Sequence, residues 1–267
     1  MTDTAPTATL AGWHRGGFAA AGLAHPVFEK GSGPGVVLIP EVPGVTPEVL
    51  GLAEHLVEEG FTVVVPSPFG DPGRPSSAGY AIGSVARLCV SREFRAFATD
   101  APRPFTAWLR ALAADLAART SGRGVGVIGM CFTGGFALAA AVDPAVSASV
   151  MSQPGVPFPV SRSRRVNGGL PALELEEVGR RADRGEVCAL GLRFSEDGVV
   201  PRERFATVAA RLGDAFEVIE LDSSAGNAGG FSSSAHSVLT SEVRERPGHP
   251  ALEARERVVA FLRERLS

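Results

Sequence analysis

Cysteine is scarce in this chain and poorly spaced for either of its structural uses. Cys89, Cys131 and Cys188 are an odd number with no C-x-x-C pair, which argues against a disulfide framework and against a zinc site. A reducing compartment is the expected setting. No run of about 18 apolar residues is present to cross a bilayer. The N-terminal MTDTAPTATLAGWHRGGF lacks the charged start and apolar stretch of a signal peptide, so a soluble, cytoplasmic protein is expected. Lysine is almost missing: Lys30 is alone, and the other basic residues are scattered arginines. With a formal net charge of −3 and a pI of about 6.0, no overall field draws the chain to nucleic acid or to an anionic membrane. The densest basic cluster, Arg162, Arg164 and Arg165, reads as a solvated loop.

Apolar residues are plentiful. At 45% hydrophobic and 21% charged over 267 residues, the chain is far from the composition of disorder and can bury a large core. Four short apolar runs, GVVLIP at 35–40, FTVVVPS at 61–67, GVGVIGM at 124–130 and VCALGLRFS at 187–195, have the continuous character of strands covered on both faces. SASVMSQ at 147–153 and AFEVIEL at 215–221 extend the series. Between the first two runs, TPEVLGLAEHLVEEG sets Val49, Leu50, Ala53, Leu56 and Val57 on one stripe, with Thr46 as cap and Pro47 in the first turn. Further helices are expected near 103–119, 132–142, 201–212 and 250–266. Strand and helix alternate, so the expected architecture is a single α/β domain over 1–267 with a mainly parallel sheet and helices on both faces. Residues 1–24 read as an irregular extension. Segments 68–100 and 155–185 break the rhythm and read as walls of a substrate pocket.

The segment that carries chemistry is GVGVIGMCFTGGFALAAA, a strand that turns at Gly129-Met130-Cys131-Phe132-Thr133-Gly134-Gly135 into an alanine-rich helix. A side chain at such a corner is held in a strained conformation, so small residues must flank it. Gly129, Gly134 and Gly135 do so. The positive end of the following helix favours a thiolate, and a free thiol titrates near ~8.5. The amide of Phe132 can face an oxyanion. Cys89 and Cys188 have no such frame and read as structural. A base must come from His14, His25, His55, His236 or His249. In this kind of fold the nucleophile, acid and histidine follow one another along the chain, which selects His236 in GNAGGFSSSAHSVLT and leaves His249 in reserve. The acid then falls at Asp197, just past the strand 187–195, with Glu196 and Asp222 as alternatives.

With Cys131, Asp197 and His236 in this order, the chain from about residue 25 onward resembles the dienelactone hydrolase family. The family's elbow reads G-x-C-x-G-G; here it is GMCFTGG, with Thr133 in place of the first glycine of the pair. The resemblance implies an α/β-hydrolase fold and hydrolysis of a small ester or lactone through a cysteine acyl-enzyme. No cofactor or metal is expected, and the chain is expected to act as a monomer or a small homo-oligomer. It also gives Glu41, after the first central strand, the role of partner to the resting cysteine, and makes the Val42 amide the second oxyanion donor. Members that bind acidic dienelactones carry an arginine a few residues after the histidine. Here that stretch is Ser237-Val238-Leu239-Thr240, which points to a dienelactone hydrolase-like esterase; Arg92 and Arg95 are the candidate replacement cations. A non-catalytic ligand-binding member of the fold and a thiol-dependent acyltransferase are the competing readings.

Overall fold

A computed structural model describes residues 4–94, 101 and 103–267. They form an eight-stranded sheet in the order β1-β2-β4-β3-β5-β6-β7-β8. β1 (His14–Ala20) and β2 (Leu23–Lys30) make an antiparallel hairpin, and β2 also pairs antiparallel with β4 (Thr62–Pro66). The remaining strands, β3 (Pro34–Ile39), β5 (Ser121–Met130), β6 (Val146–Ser152), β7 (Cys188–Phe194) and β8 (Phe216–Leu221), run parallel to β4. The helices are α1 (Pro47–Glu58), α2 (Ala78–Val90), α3 (Pro104–Arg119), α4 (Gly134–Ala140), α5 (Arg162–Val166), α6 (Ala172–Asp183), α7 (Arg202–Leu212) and α8 (Pro250–Leu266). Two apolar cores result, one on each face of the sheet, as expected when crossover helices cover a parallel sheet on both sides. No described helix is long and apolar enough to cross a membrane.

All six strands expected from apolar runs are present, and α1 is capped by Thr46, whose side chain accepts from the Val49 amide. Three expectations need correction. Residues 1–24 are not all irregular: His14–Ala20 form β1, and the chain reverses at Ala21 and Gly22, with φ of 52° and 77°. A two-residue turn with φ positive at both positions suits the twist of a hairpin, and the Trp108 indole ties the hairpin to α3 by donating to the Phe18 carbonyl at 3.1 Å. The segment 155–185 is only partly an excursion, because α6, which lies between β6 and β7 in the chain, is a regular helix packed against α4 and α7. Its buried face is Leu175, Val178, Gly179 and Arg181. Arg181 occupies an interior position because its guanidinium donates to the carbonyls of Ala141, Asp143 and Val146 at the end of α4 and the turn beyond. Third, Arg162, Arg164 and Arg165 lie in the short helix α5, where Arg165 pairs with Glu203.

Parallel register places the strand ends side by side. Ile39 pairs with Gly129, Met130 with Ser152, and Ser152 with Leu192. The residues that follow β3, β5, β6 and β7 therefore emerge together at the carboxyl edge. Between β3 and β5 the strand order reverses direction, and in open α/β sheets ligands bind outside such a switch point.

Candidate active site

Cys131 follows the last residue of β5 and has φ of 52°, a conformation that costs a non-glycine residue of order 1–3 kcal/mol and persists only where neighbours enforce it. They do so here. Cys131 opens a 3₁₀ turn through Thr133 that leads directly into α4, and its carbonyl accepts the Gly155 amide at 2.9 Å. A Cβ on Gly129 would lie 2.3 Å from the Thr133 carbonyl oxygen, and one on Gly135 would lie 2.4 Å from that of Gly169. No side chain fits at either place.

Thr133 departs from the glycine of the family pattern, and its contacts explain why the departure is accommodated. It is fully buried. Its hydroxyl accepts from the Met130 amide at 2.9 Å and sits 3.2 and 3.3 Å from the carbonyls of Pro40 and Ile39. The elbow is thus joined to the end of β3, where Glu41 and Val42 follow.

His236 lies in the loop after β8. Its Nδ1 is 2.6 Å from Asp197 Oδ2, and the Asp197 side chain is only 5% exposed. The other Asp197 oxygen accepts from the Val199 amide at 3.0 Å, so the carboxylate is held from two directions. Burial pulls the His236 pKa down, but the charge at Cys131 and hydrogen bonds to Asp197 and Cys131 outweigh it and raise the value to about 11. The buried Asp197 carboxylate against Nδ1 thus favours the protonated imidazole. The alternative acids do not reach this position: Glu196 and Asp222 are exposed, and Asp222 accepts from the Ser224 amide. His249 is buried as the N-cap of α8, against the Phe231 ring.

Glu41 is 6% exposed. Its carboxylate accepts from Gln153 Nε2 at 3.0 Å, from the Ser237 hydroxyl at 2.8 Å and from the Thr240 hydroxyl. In this structure its hydrogen bonds go to these three donors rather than to Cys131. Burial raises its pKa, and the three donors together with the His236 charge only partly offset that. Gln153, Ser237 and Thr240 were not evident as site residues in the sequence. Gln153 simply follows a strand, although its φ of 33° marks it as strained, and Ser237 and Thr240 lie in the stretch where the family pattern carries an arginine.

The Val42 amide makes no hydrogen bond among the described residues, and the Phe132 amide belongs to the first turn after the elbow, where N–H groups lack intrahelical partners. Phe132 packs with Phe69 and Phe94 at ring-centroid distances of 6.3 and 5.5 Å. Val42, Phe69, Cys131 and Phe158 are all partly buried against this same apolar core. Arg92 is exposed beyond the end of α2 and contacts none of Cys131, Asp197 or His236 among the described residues; Arg95 lies outside the described residues. No group of three or more His, Cys, Asp or Glu is arranged to hold a metal ion among the described residues.

A mainly parallel sheet with helices on both faces and a strained residue between β5 and α4 defines the class as an α/β-hydrolase fold. Solved structures agree. The chain is 16% identical, with a TM-score of 0.65, to the dienelactone hydrolase-like promiscuous phosphotriesterase P91 from metagenomic libraries, covering 96% of this chain and 98% of that one. A protein of Klebsiella pneumoniae subsp. pneumoniae described as a dienelactone hydrolase gives 17% identity and a TM-score of 0.62 over 94% and 99% of the two chains. Dienelactone hydrolase from Anabaena variabilis gives 13% and 0.54 over 96% and 98%. No curated protein matches significantly. The model of the dienelactone hydrolase family matches residues 20–265, and the chain belongs to that hydrolase family.

Proposed function

We propose that the protein hydrolyses small carboxylic esters or lactones through an acyl-enzyme on Cys131. The observation that carries this reading is the buried Asp197–His236 pair, with Cys131 among the groups that act on the His236 ring. The Cys131 thiolate attacks the carbonyl carbon, and the Val42 and Phe132 amides stabilise the oxyanion. As the C–O bond breaks, His236 gives its proton to the leaving oxygen. Water then attacks the thioester, His236 takes the water proton, and the acid product leaves with the thiolate restored. Asp197 holds the ring in the productive tautomer and stabilises the imidazolium. Because a thiolate is itself a good leaving group, the tetrahedral intermediate collapses forward only when the other group leaves readily. Lactones, enol esters and activated esters fit this requirement better than amides.

The donors around Glu41 are Gln153, Ser237 and Thr240 rather than an arginine, which supports an uncharged substrate over an acidic dienelactone. The partly buried apolar residues around Cys131 support the same choice. The site is assembled within one chain, so a monomer suffices, and a reducing cytoplasm would keep Cys131 free. A panel of lactones, dienelactone, p-nitrophenyl esters and a p-nitrophenyl phosphotriester, assayed with wild type and Cys131→Ala, tests the proposal. Ester turnover by wild type and its loss in the variant are expected, whereas turnover that survives the substitution refutes the mechanism.

A further inference from the structure

Arg204, in the first turn of α7, is completely buried, and its guanidinium has no carboxylate partner among the described residues. Desolvating a cation costs several kcal/mol unless its donors are met. Here they are met by backbone alone. Nε donates to the Asn167 carbonyl at 2.9 Å, Nη1 to that of Pro154, and Nη2 to those of Pro157 and Arg164 at 2.5 and 3.2 Å. Burial lowers the Arg204 pKa only to about 10, so it remains a cation at neutral pH.

All four acceptors lie in the segment that leaves β6. Residues 154–157 of that segment are buried without belonging to a helix or strand, so their carbonyls need partners from elsewhere. The segment passes directly beneath the nucleophile. The Gly155 amide donates to the Cys131 carbonyl, and a Cβ on Gly155 would lie 3.5 Å from Val199, two residues beyond Asp197. The Arg204 amide in turn bonds the Pro201 carbonyl, and the Val200 amide that of Asp197. At the far end, Arg103 donates to the Gly169 carbonyl at 2.7 Å. Arg204 therefore connects the turn that bears Asp197 to the segment that supports Cys131.

We infer that Arg204 is a positioning residue: its guanidinium clamps residues 154–167 between the elbow and the Asp197 turn and so fixes the floor on which the acyl group sits. The inference rests on the acyl-enzyme reading for its kinetic consequence but not for its structural one. The test compares wild type, Arg204→Met and Arg204→Lys by hydrogen exchange read by mass spectrometry, by kcat and KM for a p-nitrophenyl ester, and by the rate at which iodoacetamide alkylates Cys131. In Arg204→Met, exchange across 154–168 accelerates while peptides of β3 and β5 keep their protection. A displacement of about 1 Å at a reacting group can cost about 100-fold, so kcat/KM is expected to fall about 10- to 100-fold, with KM rising. Alkylation, which needs no seated acyl group, stays within about twofold of wild type. Arg204→Lys keeps the charge but has three donors on one nitrogen, and it falls between the two. It carries the same comparison if Arg204→Met does not fold. Unchanged exchange at 154–168, acceleration spread evenly over all peptides, or loosened exchange with unaltered kcat and KM would each overturn the inference. If instead Cys131→Ala retained ester turnover, the acyl-enzyme reading would fail while the exchange result still decided whether the clamp exists.

Discussion

Thr133 offers a stability test that is independent of any substrate. Thr133→Val preserves shape and volume and removes only the hydroxyl. The Met130 amide then loses its acceptor at 2.9 Å, in a region of no solvent access, and one of the carbonyls of Ile39, Pro40 or Met130 loses a donor. An orphaned buried donor costs about 1–3 kcal/mol, and a lost neutral hydrogen bond about 0.5–1.5 kcal/mol. A total of about 2–4 kcal/mol follows, and for a chain of this size each kcal/mol lowers Tm by about 2–4 °C. Calorimetry should therefore show a fall of about 5–15 °C, accompanied by a lower denaturant midpoint at unchanged m. Thr133→Ser keeps the hydroxyl and should lose far less. Because the hydroxyl joins the elbow to the end of β3, ester turnover should also fall in the valine variant through displacement of the Val42 amide. A Thr133→Val protein melting within about 2 °C of wild type would refute the claim that this hydroxyl ties the two strand ends together.

Asp197→Asn leaves the shape of the site but exchanges a charged 2.6 Å acceptor for an amide that favours the wrong tautomer, so kcat should fall about 10³- to 10⁴-fold with little change in Tm. The His236 ring, followed by NMR, should titrate near 11 in wild type. In Cys131→Ala it should titrate lower, since burial remains while the charge at Cys131 is lost. Glu41→Gln should alter the pH dependence of stability. A folded carboxyl pKa raised above 4.5 means that the unfolded chain releases its proton first. Wild type is thus progressively destabilised as pH rises from about 4.5 toward the folded value. The Tm of Glu41→Gln relative to wild type should climb over that interval and stay flat below it; a constant difference would show that Glu41 does not titrate as its burial requires.

Much of this was legible in the sequence for a definite reason. Strands buried on both faces leave continuous apolar runs, so the six parallel strands could be located, and the glycines around Cys131 announce close backbone approach. The β1–β2 hairpin was missed because HRGGFAA and LAHPVFEK alternate weakly and turn at Ala-Gly, which lacks the usual asparagine or aspartate. Helix α6 was missed because Arg181 stands at an interior position, satisfied by carbonyls that only the tertiary structure supplies. Asp197 could be chosen by its place after a strand, whereas its contact with His236 depends on β7 and the loop after β8 coming together. The setting of Glu41 was legible least of all. Gln153, Ser237 and Thr240 converge on it from positions 112, 196 and 199 residues away, and no local pattern marks them.

In the proposed reaction Cys131 carries the acyl group. Rapid quenching of the protein in acid during turnover of a p-nitrophenyl ester, followed by peptide mass spectrometry, tests it directly. The acyl mass should appear on the peptide containing Cys131, rise with the p-nitrophenol burst and disappear in Cys131→Ala. A burst with no adduct on that peptide, or an adduct on another residue, would contradict it.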